Sequence, residues 1–275
     1  MTDAMGAKGL PRRSDGKGRA KAGAKGKGIE KARKVALVRA LSKLGLASRS
    51  QAYELVRSGK VEVNGRIVTD PATQVAAGLT RIHVAGVEAE PAMWLCIALN
   101  KPRKVVTTRS DPDGRPTVYD LISDVDARVV PVGRLDLAST GLLLMTNDTE
   151  LADWLTDPAT AIVRRYVVTV RGELSDERAA SLVKGIVDAG ERLKATSIDI
   201  LKRSKRETHL IVELAEGKNR EIRRLLKAAG HETTRLKRIA FGGIELGELA
   251  PGKWRNVPVE EIRKSFPRAR IGGQG

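Results

Sequence analysis

Residues 132–148 read Val132-Gly133-Arg134-Leu135-Asp136-Leu137-Ala138-Ser139-Thr140-Gly141-Leu142-Leu143-Leu144-Met145-Thr146-Asn147-Asp148. A polar loop bounded by glycines runs into an apolar stretch, which predicts a buried strand over 142–146 entered through a turn that carries Arg134 and Asp136. An acid at such a turn suits a reactive group, and equally a structural turn cap; the residues alone leave both readings open. Outward from this point the spacing predicts further strands over 94–99, 103–108, 165–170, 196–202 and 208–214, and helices around 117–122, 149–155, 176–187 and 219–229. Strands outnumber helices and several are neighbours in sequence. That predicts an α+β domain over 94–263, with a mostly antiparallel sheet and flanking helices, followed by a C-terminal tail over 264–275.

The chain's 275 residues are 41% hydrophobic, enough for two modest cores. Fifty Lys and Arg against 33 Asp and Glu give a formal charge of +17, which favours a polyanionic partner, nucleic acid before an anionic membrane surface. No apolar run approaches a membrane span and the start lacks the apolar core of a signal peptide, so the expectation is a cytoplasmic protein without membrane contact. A lone Cys96 inside an apolar run excludes an intrachain disulfide and reads as a packing residue, while His83, His209 and His231 lack the spacing of a zinc site. No metal is expected, and nothing in the pattern suggests an obligate interface, so the expected state is a monomer. Residues 1–34 hold eleven Lys or Arg against Asp3, Asp15 and Glu30, with Gly and Ala between them. So little apolar surface predicts a disordered basic tail able to neutralise phosphates.

From Val35 a helical pattern places Leu37, Val38, Leu41 and Leu44 on one face, with Gly45 ending it. Ser48 followed by Gln51 is a capping box opening a second helix, which stops near Gly59. Val61-Glu62-Val63 and Arg66-Ile67-Val68 flank Asn64-Gly65, the signal for a two-residue hairpin, and Arg81–Val84 is a further strand. Residues 86–93, with Gly86 and Pro91, read as a linker. This order resembles the small RNA-binding module named after ribosomal protein S-four, here over 35–85. The resemblance implies RNA contact by the second helix, through Arg49, Gln51, Arg57 and Lys60.

Two more stretches accompany the first. Arg164-Arg165-Tyr166-Val167-Val168 carries a basic pair and an aromatic ring into a strand. In Gly217-Lys218-Asn219-Arg220-Glu221-Ile222-Arg223-Arg224-Leu225-Leu226, helical spacing gathers Ile222, Leu225, Leu226 and Ala229 into an apolar stripe with Arg223 at its edge and Arg220 on the other side. In this order the three stretches resemble the signatures of the pseudouridine synthase family, Gly-Arg-Leu-Asp-x-x-[Thr/Ser]-x-Gly-Leu-Leu being matched at every defined position. Together with the appended module and Arg235-Leu236-Lys237-Arg238-Ile239, they are similar to the branch typified by RsuA and RluB, leaning towards its large-subunit members.

The resemblance implies isomerisation of a uridine in ribosomal RNA, free or in a pre-ribosomal particle, without metal, nucleotide or redox cofactor. Asp136 would be the catalytic carboxylate, Arg223 its ion-pair partner, Tyr166 the ring against the target base, and Arg134 the residue that displaces it. Lys101, Arg164, Arg165, Lys218, Asn219 and Arg220 would join Arg134 in contacting RNA. Attack on either the sugar or the ring would hold the detached halves together, and because the target atoms are hidden in a stacked helix the uridine would be flipped out. Lys104, Ala138 and Thr149 depart from the usual pattern, Lys104 standing where a glycine is common. A nuclease would need metal-binding acids near Asp136, whereas Asp148 and Asp153 suit turn and helix-start positions.

Deleting residues 1–34 should lower the log–log salt slope of RNA binding by roughly 0.7 to 0.9 per lost phosphate contact. Titrations of full-length and shortened protein across a salt series measure it, and equal slopes would show that the tail does not contact RNA.

Overall fold

The computed structural model describes residues 34–76, 80–90 and 92–271. Residues 1–33 of the basic tail, Pro91 of the linker and the last four residues lie outside them. In the small module β1 (Lys34–Ala36) leads directly into α1 (Leu37–Lys43), and the chain turns at Gly45, φ +77°. The helix expected from Val35 starts two residues later because β1 pairs with β4 (Gln74–Ala76). A tail deletion should therefore spare Lys34. α2 (Arg49–Arg57) has the expected capping box, Ser48 Oγ accepting the Gln51 N–H at 3.0 Å and Gln51 Oε1 accepting the Ser48 N–H at 2.9 Å. β2 (Val61–Val63) and β3 (Arg66–Ile67) meet at Asn64 and Gly65, both left-handed at φ +52° and +78°, as a type I′ turn requires.

The same geometry recurs at Ala85 and Gly86, φ +51° and +83°, joining β5 (Ile82–Val84) to β6 (Val87–Glu88). Residues 87 and 88, expected in a linker, thus belong to a sheet ordered β3-β2-β5-β6. Gly86 punctuates a hairpin here, and does not mark a domain boundary.

One nine-stranded sheet organises the larger domain. Its members are β7 (Cys96–Lys101), β8 (Val130–Pro131), β9 (Thr140–Thr146), β10 (Arg164–Arg171), β13 (Ser197–Arg203), β14 (Glu207–Leu214), β15 (Thr233–Phe241), β16 (Ile244–Glu245) and β17 (Trp254–Asn256). The order is β13-β14-β10-β15-β9-β7-β17, with β16 on β15, β8 on β9, and β11 (Ile186–Asp188) and β12 (Glu191–Leu193) forming a separate hairpin. Every pairing is antiparallel except β9 with β15, so the class is α+β with a mostly antiparallel sheet.

The two halves of the sheet are buried differently, as their sequences require. β7 and β9 are near-continuous apolar runs covered on both faces. α3 (Thr149–Thr156), α6 (Val259–Ser265), Phe241 and Phe266 pack one side, and Val105, Val118, Val129 and Leu135 the other. β14 alternates instead, sending Leu210, Val212 and Leu214 under α4 (Asp176–Lys184) and α5 (Glu221–Ala228). Its other face carries charged and half-buried residues.

Several expectations are corrected. Residues 103–108 form no regular strand, only a bridge from Val106 to Thr117, because Lys104 is left-handed at φ +65° beside Pro102. The helix over 117–122 is a single 3-10 turn, Asp120–Ile122. α4 stops at Lys184 because Gly185 (φ +99°) and the β-branched Ile186 and Val187 turn the chain into a hairpin. The tail expected from residue 264 is partly core: α6 runs through Ser265, and Phe266, 4% exposed, meets Phe241 edge-on at 6.2 Å.

Gly141 has φ +99°, and a Cβ there would lie 2.1 Å from the Arg238 carbonyl oxygen of the parallel neighbour. Gly141→Ala should therefore destabilise the protein by about 3 kcal/mol or more. Denaturant unfolding checks this, and a loss under about 1 kcal/mol would show that the strand junction can relax.

Candidate active site

The loop joining β8 to β9 is held from below. Leu135 is buried, its carbonyl accepting Thr107 Oγ1–H at 2.9 Å, and the Ser139 N–H donates to Asp136 O at 3.0 Å. Lys101, the residue of β7 facing Gly141, is fully buried and its Nζ donates to Pro102 O, Asp136 O and Ser139 O at 3.1, 3.1 and 2.9 Å. Burial pushes the ammonium down from 10.5 to about 8, with the Asp136 charge pulling the other way. Lys101 was expected to meet RNA; its ammonium instead pins the loop that bears Asp136.

The Asp136 side chain is 38% exposed, with Oδ2 3.6 Å from Arg220 Nη1 and 4.0 Å from Arg223 Nε. Both separations exceed a hydrogen bond, so the attraction is electrostatic across a gap. Arg223 Nη1 donates to Thr233 O at 3.0 Å, while its Nε and Nη2 are buried without a partner. Desolvation and the Arg220 charge push this guanidinium down from its usual value, and Asp136 opposes them. An approach of about 1 Å by the carboxylate would satisfy Nε, an unmet buried donor being worth about 1 to 3 kcal/mol. Arg220, read onto the far side of the helix, is the left-handed residue just before α5 (φ +49°). Helical spacing does not govern it there, and its guanidinium turns towards Asp136.

Asp136 opens onto a cavity of about 160 Å³ lined by Arg134, Tyr166, Arg220, Glu221 and Arg238 among others. A dry cavity of about 150 Å³ accepts benzene, so one six-membered ring is the size of guest this space admits. Tyr166 sits half-buried on β10, opposite Arg238 of β15, and Arg134 is exposed at the rim.

The two arginines before Tyr166 turn out otherwise than expected. Strand alternation sends Arg164 to the Tyr166 side, but buried: its guanidinium donates to Ala215 O, Glu216 O and Leu155 O and lies over the Phe241 ring at 4.9 Å. Arg165 lies on the opposite face, paired with Glu213 at 2.8 Å. Lys218 gives its ammonium to Glu216 and Arg192 O, both at 2.6 Å, and Asn219 is exposed beside it.

Arg49 and Arg57 on α2 and Lys60 just beyond it are exposed, but the Gln51 carboxamide oxygen is taken by the cap and by Arg128 Nη1 at 3.0 Å. That makes Gln51 a joint to the larger domain. Tyr53, 47% exposed and one turn from both Arg49 and Arg57, completes a stripe the sequence reading missed. It also gave no part to Arg238, whose Nε donates to Leu142 O at 2.6 Å while Nη2 has no partner, or to Glu221, whose Oε1 is buried and unpaired and whose carboxyl is pushed up by burial.

The chain is similar to known proteins over both of its parts. The RNA pseudouridylate synthase family matches residues 96–228, and the S4 domain family residues 37–80. An uncharacterised RNA pseudouridine synthase of Aquifex aeolicus is 37% identical over 227 residues, 82% of this chain and 91% of that protein. The ribosomal large subunit pseudouridine synthase B of Bacillus subtilis is 35% identical over 230 residues, 83% of this chain and 94% of its own. A crystal structure of a pseudouridylate synthase superposes with a TM-score of 0.57 at 25% identity, covering 84% of this chain and 99% of that one. The chain belongs to the RNA pseudouridine synthase family, in the branch that joins an S4 domain to the synthase domain.

Lys101 supplies a test of the loop. Its ammonium holds three carbonyls, and a neutral amine has one N–H fewer, so kcat should fall as pH rises through about 8. Stability should move the other way: the folded pKa lies below the ordinary 10.5, so between about 8 and 10.5 the unfolded chain binds more protons and this group stabilises the fold as pH rises. Lys101→Met should lower kcat by about tenfold or more, about 1.4 kcal/mol, with RNA affinity within about threefold. Single-turnover rates and binding titrations separate the two, and an affinity loss at unchanged kcat would return Lys101 to RNA contact.

Proposed function

We propose that this protein converts a uridine of large-subunit ribosomal RNA to pseudouridine, with Asp136 as the nucleophile and the target base flipped into the 160 Å³ cavity. The observation that carries this reading is the half-exposed Asp136 carboxylate at the mouth of a ring-sized cavity, faced by two guanidinium groups at 3.6 and 4.0 Å. The ribosomal assignment rests on relatives named for the large subunit, at 35% identity in Bacillus subtilis and 36% in Pseudomonas aeruginosa. The enzyme works as a cytoplasmic monomer on RNA, free or in a pre-ribosomal particle.

In this reading Arg134 at the rim displaces the base and Tyr166 receives the flat ring, at an unstacking cost of a few kcal/mol that phosphate contacts offset. The Asp136 carboxylate attacks and tethers one of the two fragments as the N1–C1′ bond breaks. The uracil turns, C5 bonds to C1′, the carboxylate is expelled, C5 loses its proton and N1 gains one. Composition is unchanged, so no group has to be supplied from outside. Arg220 and Arg223 orient the carboxylate and stabilise its charge when it departs.

Asp136→Asn keeps the shape of the side chain and removes its charge. Pseudouridine formation should be abolished, with RNA affinity within a few-fold of the parent. Mapping pseudouridines in ribosomal RNA from cells carrying either form reads both the activity and the position, and a normal rate in the variant would remove Asp136 from the chemistry.

A further inference from the structure

A second cationic groove lies beside the cavity on the other face of the sheet. Arg103, Arg171, Arg206 and Arg235, with Ser204 and Thr234, line an open space of about 780 Å³. It begins one peptide away from the active site: Arg223 Nη1 donates to Thr233 O at 3.0 Å, and Arg103 Nη2 donates to the next carbonyl, Thr234 O, at 2.7 Å. The Arg103 charge is close enough to help push the Arg223 guanidinium down. Beyond Arg103 the alternation of β15 turns Arg235 and Lys237 outward, while Leu236 and Arg238 face the cavity. Arg171, at the end of β10, continues the row opposite Glu207 of β14.

Two acids lie at the groove. Glu207, itself part of the lining, shares a hydrogen bond with His209 Nε2 at 3.0 Å, and Glu232 pairs with Arg171 at 3.1 Å. Among the described residues no acid pairs with Arg103, Arg206 or Arg235, and the groove is lined by no aromatic ring on which a base would stack. Hydroxyls and unpaired guanidiniums without a stacking surface match a chain of phosphates, read without regard to sequence. We propose that this groove holds the sugar–phosphate backbone of the substrate RNA on one side of the flipped nucleotide. The proposal rests on the reading of the cavity as the uridine site, and it gives the RNA a path over the start of β15 away from that site. Phosphates held there anchor the strand beside the extruded nucleotide.

The test uses the full-length Arg206→Glu/Arg235→Glu protein, with Arg206→Gln/Arg235→Gln as a gentler second variant and Lys264→Glu/Arg268→Glu on and beyond α6 as a charge-matched control. Affinity for a large-subunit RNA fragment is measured across a salt series, and single-turnover pseudouridine formation at saturating RNA. The groove variants should bind about tenfold or more weakly at low salt, with the log–log slope reduced by about 1.5, and react at saturation within about twofold of the parent. An unchanged slope, an equal loss in the control, or a rate loss at unchanged affinity would overturn the proposal. A parent protein that binds the fragment but forms no pseudouridine would sink the proposed function while leaving the groove's role readable from the slopes.

Discussion

The site depends on a contact of two residue pairs, Lys237 with Thr140 and Arg238 with Gly141, where β9 runs parallel to β15. Without it the sheet would be two halves, one carrying Asp136 at the entry to β9, the other carrying Tyr166 on β10 and α5 with Arg223. Gly141 allows the contact because it has no Cβ to strike the Arg238 carbonyl. Thr140 Oγ1 donates to Leu236 O at 3.4 Å and Arg238 Nε to Leu142 O at 2.6 Å, so side chains as well as backbone tie the seam. On its other side Gly141 faces Lys101 of β7, which places a buried cation on each flank of the strand just below the loop that bears Asp136.

Those cations share a solution to an electrostatic problem. Lys101, Arg164 and Arg238 are at most 5% exposed, and a charge so placed is costly unless its hydrogen bonds are met. Carbonyl oxygens accept from all of them, three for Lys101, three for Arg164 and one for Arg238, whose Nη2 is left without a partner. Carbonyls satisfy the donors without cancelling the charge, as a carboxylate would. The walls around the cavity therefore remain positive, a field that draws an RNA strand inward and favours the anionic form of whatever leaves or attacks there.

The sequence made much of this legible, for identifiable reasons. Capping box, Asn-Gly turn and apolar runs are local signals, and α2, the β2–β3 hairpin, β9 and α5 follow them. The strand β15 was missed because its alternation is Arg235-Leu236-Lys237-Arg238, in which a buried arginine occupies a position where period-two reading looks for an apolar residue. A buried lysine at Lys101 is hidden for the same reason: only the tertiary arrangement reveals three carbonyls converging on it. Asp136 with Arg223 was anticipated, through the family's pattern more than through physics, since the residues alone allowed a turn cap. Arg220 escaped because wheel spacing was carried one residue past the helix start, and Arg165 because the strand's alternation was not applied to the Arg-Arg pair.

The division of labour between cavity and surface follows from size. A space of about 160 Å³ admits one ring, too little contact to hold an RNA by itself or to offset the few kcal/mol of unstacking a base. In the proposed reading, contacts far from the reacting atoms offset that cost within the binding step, provided the strand binds only in the productive register, so that their loss weakens affinity and leaves the rate of the bound complex unchanged. Long cationic side chains at several separated places meet this condition: the exposed stripe on α2, the rim with Arg134, and the arginines that turn over the start of β15. Each is weak and indifferent to sequence, yet their relative positions are set by one sheet and its attached module. On the proposed mechanism, selection of the target lies in the shape an RNA must have to touch them all while one nucleotide is out of its stack, where the Asp136 carboxylate meets it.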